Sequence, residues 1–248
     1  NYAYRGALKN LSDFDEIETV LERFHPESVV SFEAENGVFA LPETYTFLMM
    51  FYRKDILNEL NLSIPVTWDD VYEIIPILHN NNLDIGFPSV VEDNLDMFLA
   101  LLFQNGGNVY TNTREITELS SNVSIEAFTK WSNFYTKYRV AQTMNHLTRF
   151  RTGEAPIVLM PYTFFNLLVA AAPEINGLWD FTLVPGTAQK SGEISHSVVG
   201  TGTGSVIFKN ASDMDSAWEF LKWWSSTQTQ FNYGLEIENL QGPSGRWP

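Results

Sequence analysis

The chain has 248 residues, of which 44% are hydrophobic, so it is long and apolar enough to form one large or two smaller packed domains. Its 30 acidic residues outnumber its 15 basic residues and give a formal net charge of −15, which repels nucleic-acid phosphates and anionic membrane surfaces. Cysteine is absent, which excludes disulfides, thiolate metal sites and a cysteine nucleophile. Composition therefore indicates a globular protein that does not bind nucleic acid.

The two ends of the sequence indicate a segment of a longer parent. The sequence starts at Asn1 without an initiator methionine and stops at Pro248 within a turn-like phrase. We therefore expect any leader or lipid anchor of the parent to lie outside it. The longest apolar runs, such as FFNLLVAAAP, are far shorter than the roughly 20 residues that a membrane-spanning helix needs, so no transmembrane helix is predicted.

The first predicted elements are a helix and a hairpin. Apolar residues recur at helical spacing across residues 12–24, after a Ser or Asp cap. Residues 28–42 then contain a Glu35-Asn36-Gly37 turn between alternating apolar positions, and Asn-Gly in that context is a strong hairpin signal. This part of the sequence predicts a surface helix followed by two short strands.

The next stretch predicts a strand and two helices. TFLMMFYRKDILNELNL begins as an apolar strand and ends as a helix. In PVTWDDVYEIIPILHNNN, Thr67 is placed as the N-cap and Asp70 occupies the third helical position, which is a capping-box arrangement. Pro76 lies inside this second helical pattern and is expected to kink or shorten the helix.

The rest of the chain continues the alternation of helices and strands. The predicted elements are an apolar helix closed by Gly106-Gly107, an aromatic-rich helix capped at Ser124, the buried strand APIVLMP, the helix FFNLLVAAAP, the strand WDFTLVPG, a strand pair or bulged strand around GTGTGS, and a last amphipathic helix, DSAWEFLKWWSSTQTQFNYG. This alternation is the pattern of an α/β protein.

Few residues fit a catalytic or metal-binding pattern. The histidines His25, His79, His146 and His196 show no metal-ligand spacing, so surface or capping roles are favoured, and no metal or cofactor is predicted. GTGTGS lacks both the Gly-x-Ser-x-Gly pattern of a nucleophile and the Lys of a phosphate-binding loop.

A pair of carboxylates is the remaining catalytic possibility. A glycoside hydrolase needs two acids about 5–10 Å apart. Glu43, Glu92 and Asp93 all lie in loops at the ends of predicted strands, where sites form in α/β folds. Since the chain has 30 acidic residues, chance pairs are common. The hydrolase stays open as an alternative.

Aromatic residues accompany acids at the predicted strand ends. Tyr45 and Phe47 follow Glu43, and Tyr162 and Phe164 follow the strand IVLMP. The apolar face of a sugar stacks on an aromatic ring, while carboxylate and amide groups bind its hydroxyls. The pattern favours a carbohydrate ligand, with core packing as the alternative for each ring, in particular for Phe47, Phe164 and the adjacent Phe165.

Several phrases together resemble one family. FALPETYTFLMMFYRKDILNELNLSIPVTWDDVYEI is similar to the crossover phrase of bacterial extracellular solute-binding proteins of family 1, the maltodextrin-binding-like class. The matching residues are Pro42, Tyr52, Lys54, Asp55, Leu57, Pro65, Thr67, Trp68 and Asp69. FRTGEAPIVLM resembles the family's Phe-x-x-Gly-x-Ala phrase, and FLALLFQNGGNVY, FTLVPG and AWEFLKWWSS match in order. The resemblance covers about residues 30–248.

The resemblance implies an α/β, periplasmic-binding-protein-like (type II) two-lobe fold with an incomplete first lobe. Residues 1–43 and 186–240 would belong to the first lobe, residues 44–185 would form the second, and residues 241–248 would start a further crossing segment. Proteins of this family hold a ligand between their lobes by hinge closure and do no covalent chemistry. A binding protein, not an enzyme, is implied.

The resemblance also places the candidate ligand contacts. They are Glu43, Tyr45 and Phe47 at the first crossing, Glu92 and Asn94 at a cleft edge, Tyr162 and Phe164 on the second-lobe wall, Gly200 and Thr201 on the returning strand, and Arg246 and Trp247 at the last crossing.

The function implied is that of the solute-binding component of an ATP-driven importer. Its ligand would be a sugar or oligosaccharide, and its protein partner would be the membrane permease of the importer. The protein would be a monomer, extracellular or periplasmic, with a lipid anchor at the cell surface in the parent. A ligand sensor or adaptor without transport stays open beside the hydrolase.

Overall fold

The computed structural model describes residues 2–34, 37–89, 95–111, 113 and 115–241. In these residues the helices are α1 (Ile17–Leu21), α2 (Pro26–Val30), α3 (Lys54–Glu59), α4 (Trp68–Asn80), α5 (Asp96–Gln104), α6 (Asn122–Thr136), α7 (His146–Thr152), α8 (Phe164–Ala171), α9 (Met214–Trp224) and α10 (Thr227–Gln241). The strands are β1 (Glu33–Ala34), β2 (Gly37–Val38), β3 (Leu41–Arg53), β4 (Ile85–Gly86), β5 (Ile157–Pro161), β6 (Trp179–Thr182), β7 (Thr187–Ala188), β8 (Ile194–Ser195) and β9 (Gly200–Ser205). None of the helices formed by these residues has the length and apolar character needed to cross a bilayer.

The chain divides into two compact units. Unit 1 comprises Asn1–Thr46 and Gly200–Pro248, and unit 2 comprises Phe47–Val199. Residues 186–199 bond within unit 2, for example through the Gly186 N–H, which donates to the Val66 carbonyl at 2.8 Å. The lobe boundaries after residues 43 and 185 stay a prediction. That these units are the two predicted lobes stays a prediction.

Unit 1 begins with short elements. β1 pairs antiparallel with β2, which confirms the predicted hairpin. The helix predicted over residues 12–24 is instead a 3-10 turn followed by α1. Phe14 between them has extended backbone, with φ −91° and ψ 135°, and its ring stacks on Trp218 with centroids 4.7 Å apart. The helical pattern is therefore interrupted at Phe14, whose ring packs against α9.

The core of unit 1 is small and is built from several short elements. Its buried members are Leu11, Ile17, Val20, Leu41, Ile207, Trp218 and Leu221. The single C-terminal helix predicted from the sequence is divided into α9 and α10. The hydroxyl of Ser226 accepts from the Thr229 N–H at 3.3 Å, which satisfies one of the first amides of α10.

Unit 2 is organised around a sheet in the order β4-β5-β3-β6. β3 runs antiparallel to β5 and β6, and β4 runs parallel to β5. Alternate residues of β3 enter two separate cores: Leu48, Met50 and Tyr52 enter one, and Met49 and Phe51 enter the other. Because both faces of this strand segment are covered, its sequence is a continuous apolar run rather than an alternating one.

The capping box at the start of α4 is confirmed. The Asp70 N–H donates to Thr67 Oγ1 at 3.2 Å, and the Thr67 N–H donates to Asp70 Oδ2 at 2.8 Å. The buried face of α4 comprises Trp68, Val71, Ile74, Ile75 and Leu78. Pro76 lies within the helix, which continues to Asn80 and is not shortened.

Replacing Asp70 with alanine is expected to lower the free energy of unfolding by about 1 kcal/mol at pH 7, because α4 loses half of its capping box. The hydrogen bond from the Thr67 backbone N–H holds the pKa of Asp70 below its usual value. This stabilisation is therefore present above the unfolded pKa of about 4 and is lost as pH falls through the folded value. Urea unfolding at neutral and acidic pH measures the effect.

The exposed neighbour Asp69 supplies the control for this prediction. It lies in the same helical turn but outside the capping box, so Asp69→Ala should change stability by less than about 0.5 kcal/mol. If Asp70→Ala destabilised the protein equally at both pH values, the capping carboxylate would not be the cause.

Candidate functional site

Unit 1 contains a cavity of about 240 Å³ beside the first half of β3. Its wall combines charged, polar and aromatic side chains from three parts of unit 1: the α1–α2 region, β3, and the junction of α9 with α10. The lining residues are Arg23, Phe24, His25, Glu27, Ser28, Pro42, Glu43, Thr44, Tyr45, Ser225, Thr227 and Gln230. Two residues predicted from the sequence as ligand contacts, Glu43 and Tyr45, therefore lie in one wall.

Contacts between β3 and β9 position this wall. Glu43 Oε2 accepts a hydrogen bond from the Ser205 hydroxyl at 3.2 Å. The hydroxyls of Thr44 and Thr203 are 2.5 Å apart and share a hydrogen bond. These cross-strand contacts fix the strand that carries the candidate carboxylate.

Tyr45 lines the cavity and is 37% exposed. A Cβ atom at Gly200 would overlap the Tyr45 side chain, so the ring can take this position only beside a residue without a side chain. Gly200 was predicted as a ligand contact, and the structure places it as support for the Tyr45 ring. Thr201, its neighbour on β9, is exposed and is not among the lining residues.

Arg23 and Gln230 are cavity residues that the sequence reasoning missed. Arg23 Nη1 donates to the Lys222 carbonyl at 2.8 Å and to Ser225 Oγ at 3.4 Å. Gln230 Nε2 donates to the Trp224 carbonyl at 2.6 Å. Both side chains are tied to the end of α9, and no spacing pattern in the sequence connects that end with β3.

A second set of candidate residues lies in unit 2. The Tyr162 N–H donates to the Phe47 carbonyl at 2.9 Å, and the two rings stack with centroids 6.2 Å apart. The Tyr162 ring also stacks on Phe165, with an interplanar angle of 10°. Both Phe47 and Tyr162 are partly buried at the edge of a core and keep some accessible ring surface.

Phe164 has a different place from the one predicted. It is 4% exposed, and its ring packs edge-on against Phe51 and Phe150 at centroid distances of 5.2 and 6.1 Å. As the first residue of α8, it faces the core. The structure thus supports core packing, the alternative that the sequence left open for this ring, because a buried ring has no surface to offer a ligand.

The remaining candidates, Glu92, Asn94, Arg246 and Trp247, lie outside the described residues. The ring nitrogens of His146 and His196 each lie 2.7 Å from a backbone carbonyl oxygen, and His79 Nε2 lies 3.3 Å from Asp84 Oδ1. Across the described ranges, no group of three or more His, Asp or Glu side chains could hold a metal ion. Within the described residues, the candidate site is therefore a polar, partly aromatic cavity.

The chain is similar to known binding proteins in sequence and in fold. The sequence model of one family, described as bacterial extracellular solute-binding protein, matches residues 2–231. Among solved structures, the maltose-bound MalE3 of T. maritima has a TM-score of 0.76 at 21% identity, over 100% of this chain and 63% of that one. The cycloalternan complex of an ABC substrate-binding protein from Listeria monocytogenes has a TM-score of 0.76 at 19% identity, over 100% and 63%.

A third structure extends the range of ligands among these neighbours. UgpB from Mycobacterium tuberculosis, in complex with glycerophosphocholine, has a TM-score of 0.77 at 15% identity, over 99% of this chain and 61% of that one. No curated protein matches the chain. The chain thus spans less than two thirds of the length of these structures.

These likenesses confirm the predicted α/β, periplasmic-binding-protein-like fold class. The family match covers most of the chain, from residue 2 to residue 231. The chain belongs to the family of bacterial extracellular solute-binding proteins.

Proposed function

We propose that the protein is the solute-binding component of an ATP-driven importer and that its solute is a sugar or oligosaccharide. The observation that carries this proposal is the unit 1 cavity, in which the partly exposed Tyr45 ring lies in the same wall as the Glu43 carboxylate. Family membership supports the binding role. The neighbours solved with maltose and with cycloalternan support a carbohydrate as the solute class.

The chemistry of the cavity wall suits a carbohydrate. The C–H face of a sugar ring packs on an aromatic surface such as that of Tyr45, while its hydroxyl groups both donate and accept hydrogen bonds. Glu43 supplies acceptors and Gln230 supplies an amide within the same cavity. In unit 2, Phe47 and Tyr162 are proposed as further ligand contacts because their stacked rings keep accessible surface.

The proposal includes no covalent chemistry. Hydrolysis of a glycoside requires a second carboxylate at a fixed distance from the first. Glu43 accepts a hydrogen bond from the Ser205 hydroxyl, and the other two acids proposed for such a pair, Glu92 and Asp93, lie outside the described residues. Neither the family match nor the structural neighbours favour the hydrolase.

The partners and location follow from the same role. A binding component of an importer meets its solute outside the cytoplasmic membrane and presents it to a permease, so we propose the permease as protein partner and an extracellular or periplasmic location. The family description supports that location. A monomeric state and a lipid anchor in the parent stay predictions.

Tyr45→Ala provides the test of carbohydrate binding at this cavity. In a thermal-shift panel of mono- and oligosaccharides, we expect at least one sugar to raise the melting temperature of the unaltered protein saturably. Removal of the ring should lower the affinity for that sugar by about 10-fold, since stacking on an aromatic face contributes roughly 1 kcal/mol or more. Tyr45→Phe should retain most of the affinity.

Tyr4 is a matched control for Tyr45. It is also a tyrosine of unit 1, is 72% exposed and lies outside the cavity, so Tyr4→Ala should leave the affinity unchanged. Failure of every sugar in the panel to stabilise the protein would count against the proposed function. Sugar binding that Tyr45→Ala did not weaken would place the ligand elsewhere.

A further inference from the structure

Arg23 is a charged residue of the unit 1 cavity whose side chain is bonded to the end of a helix. Its Nη1 donates to the Lys222 carbonyl and to Ser225 Oγ, both at the C-terminal end of α9. Carbonyls at a helix C-terminus lack helical partners and favour a cation. The guanidinium of Arg23, a residue that lines the cavity, is therefore tied to the end of α9.

The rest of the guanidinium remains available to a ligand. In the part of the chain that the structure describes, Arg23 has no ion pair with a carboxylate and no hydrogen bond through Nε or Nη2. This is notable in a chain with twice as many acidic as basic residues. A guanidinium presents its donors as a rigid planar fork, so one that is held through Nη1 is preorganised to bind a ligand through Nε and Nη2.

The wall around Arg23 selects against a charged ligand. Glu27 and Glu43 line the same cavity, so an anion drawn to Arg23 would also meet carboxylates. A cation drawn to the carboxylates would meet Arg23. A neutral polyhydroxyl compound satisfies both, because each hydroxyl can accept from the guanidinium or donate to a carboxylate.

The size of the cavity limits the ligand further. Its volume of about 240 Å³ lies below the roughly 300–1,000 Å³ that is usual for small-molecule sites. We propose that this cavity holds a single neutral sugar ring and that Arg23 is a specificity-determining contact of that ring, donating to its hydroxyls from the edge that faces away from α9. The inference rests on the proposed carbohydrate-binding function and names the part of the ligand that unit 1 recognises.

Titration of D-glucose, D-galactose, maltose and D-glucuronate, followed by calorimetry, tests this inference on the 248-residue chain. A neutral monosaccharide should bind the unaltered protein, and D-glucuronate should bind more weakly. Arg23→Met should lower the affinity for the neutral sugar by about 10-fold to 100-fold, the range expected for loss of charge-assisted hydrogen bonds. Arg23→Lys should bind the sugar nearly as weakly as Arg23→Met does, because an ammonium group keeps the charge without the planar fork.

Arg5 provides the matched control, since it is an exposed arginine of unit 1 that does not line the cavity, and Arg5→Met should bind as the unaltered protein does. Unchanged sugar affinity in Arg23→Met would overturn the role of Arg23 and leave the proposed function standing. Tighter binding of D-glucuronate than of the neutral sugars would overturn the neutral class. Binding of maltose without any binding of a monosaccharide would overturn the single-ring assignment. If no compound in the panel bound, the proposed function and this inference would both fail.

Discussion

Replacing Gln104 with leucine is expected to lower the free energy of unfolding by about 3 kcal/mol or more. The side chain is fully buried in unit 2, and each of its polar atoms is bonded. Its Oε1 accepts from Trp68 Nε1 at 2.7 Å and from Thr187 Oγ1 at 3.1 Å, while its Nε2 donates to the carbonyls of Pro185 and Ser197, each at 3.2 Å. Leucine fills a similar volume but leaves these groups without a partner, at roughly 1–3 kcal/mol for each one that stays buried.

Urea unfolding followed by tryptophan fluorescence measures this loss, and native-state hydrogen exchange locates it. The amides of β7 and β8 should lose protection first, because Gln104 bonds to residues on both sides of that hairpin. Gln228→Leu is the control, since Gln228 is exposed on α10 and should change stability by less than about 0.5 kcal/mol. If Gln104→Leu lowered the free energy of unfolding by less than about 1 kcal/mol, water or a rearrangement would be satisfying the former hydrogen-bond partners of Gln104.

Gln104 also explains why the second boundary between the units could not be predicted from the sequence. The predicted apolar helix closed by Gly106-Gly107 is confirmed as α5, of which Gln104 is the last residue. Two of its hydrogen-bond partners lie about 80 to 90 residues further along the chain, at Pro185 and Ser197. A helix end is a local signal, whereas the bonds that keep residues 186–199 in unit 2 are long-range and carry no periodicity.

Local signals were otherwise reliable for the fold. The capping box of Thr67 and Asp70 and the hairpin of β1 and β2 are confirmed, because caps and turns depend on a few neighbouring residues. The predicted helix over residues 12–24 was wrong in its continuity, since Phe14 has extended backbone and stacks on Trp218. That contact joins residues about 200 positions apart and is invisible to a helical pattern.

In the candidate site, too, local signals were predictable from the sequence and long-range contacts were not. Tyr45 and Glu43 could be proposed from the sequence because an aromatic residue follows an acid at a predicted strand end and the family resemblance places both at the first crossing. Arg23 could not, because its place in the cavity depends on the end of α9, which the sequence presented only as the middle of a longer helix. The role of Gly200 was also hidden, since only the position of the Tyr45 ring shows why a side chain is excluded there.

Phe51→Ala is expected to lower the free energy of unfolding by about 3–5 kcal/mol, because it removes a fully buried ring from the second core of unit 2. The Phe51 ring contacts the rings of Phe164 and Phe181 at centroid distances of 5.2 and 5.6 Å, and Phe181 in turn contacts Tyr162 at 5.9 Å. The variant should therefore also loosen a proposed ligand-contact ring, which differential scanning calorimetry and NMR of the Tyr162 ring would detect together. Phe51→Leu should lower the free energy of unfolding by roughly half as much. Phe128→Ala is the control, since the Phe128 ring is 53% exposed and its removal should change stability by less than about 1 kcal/mol. If Phe51→Ala destabilised the protein as expected but left the Tyr162 ring unchanged, the surface rings would be held by the Phe47 backbone contact rather than by the core beneath them.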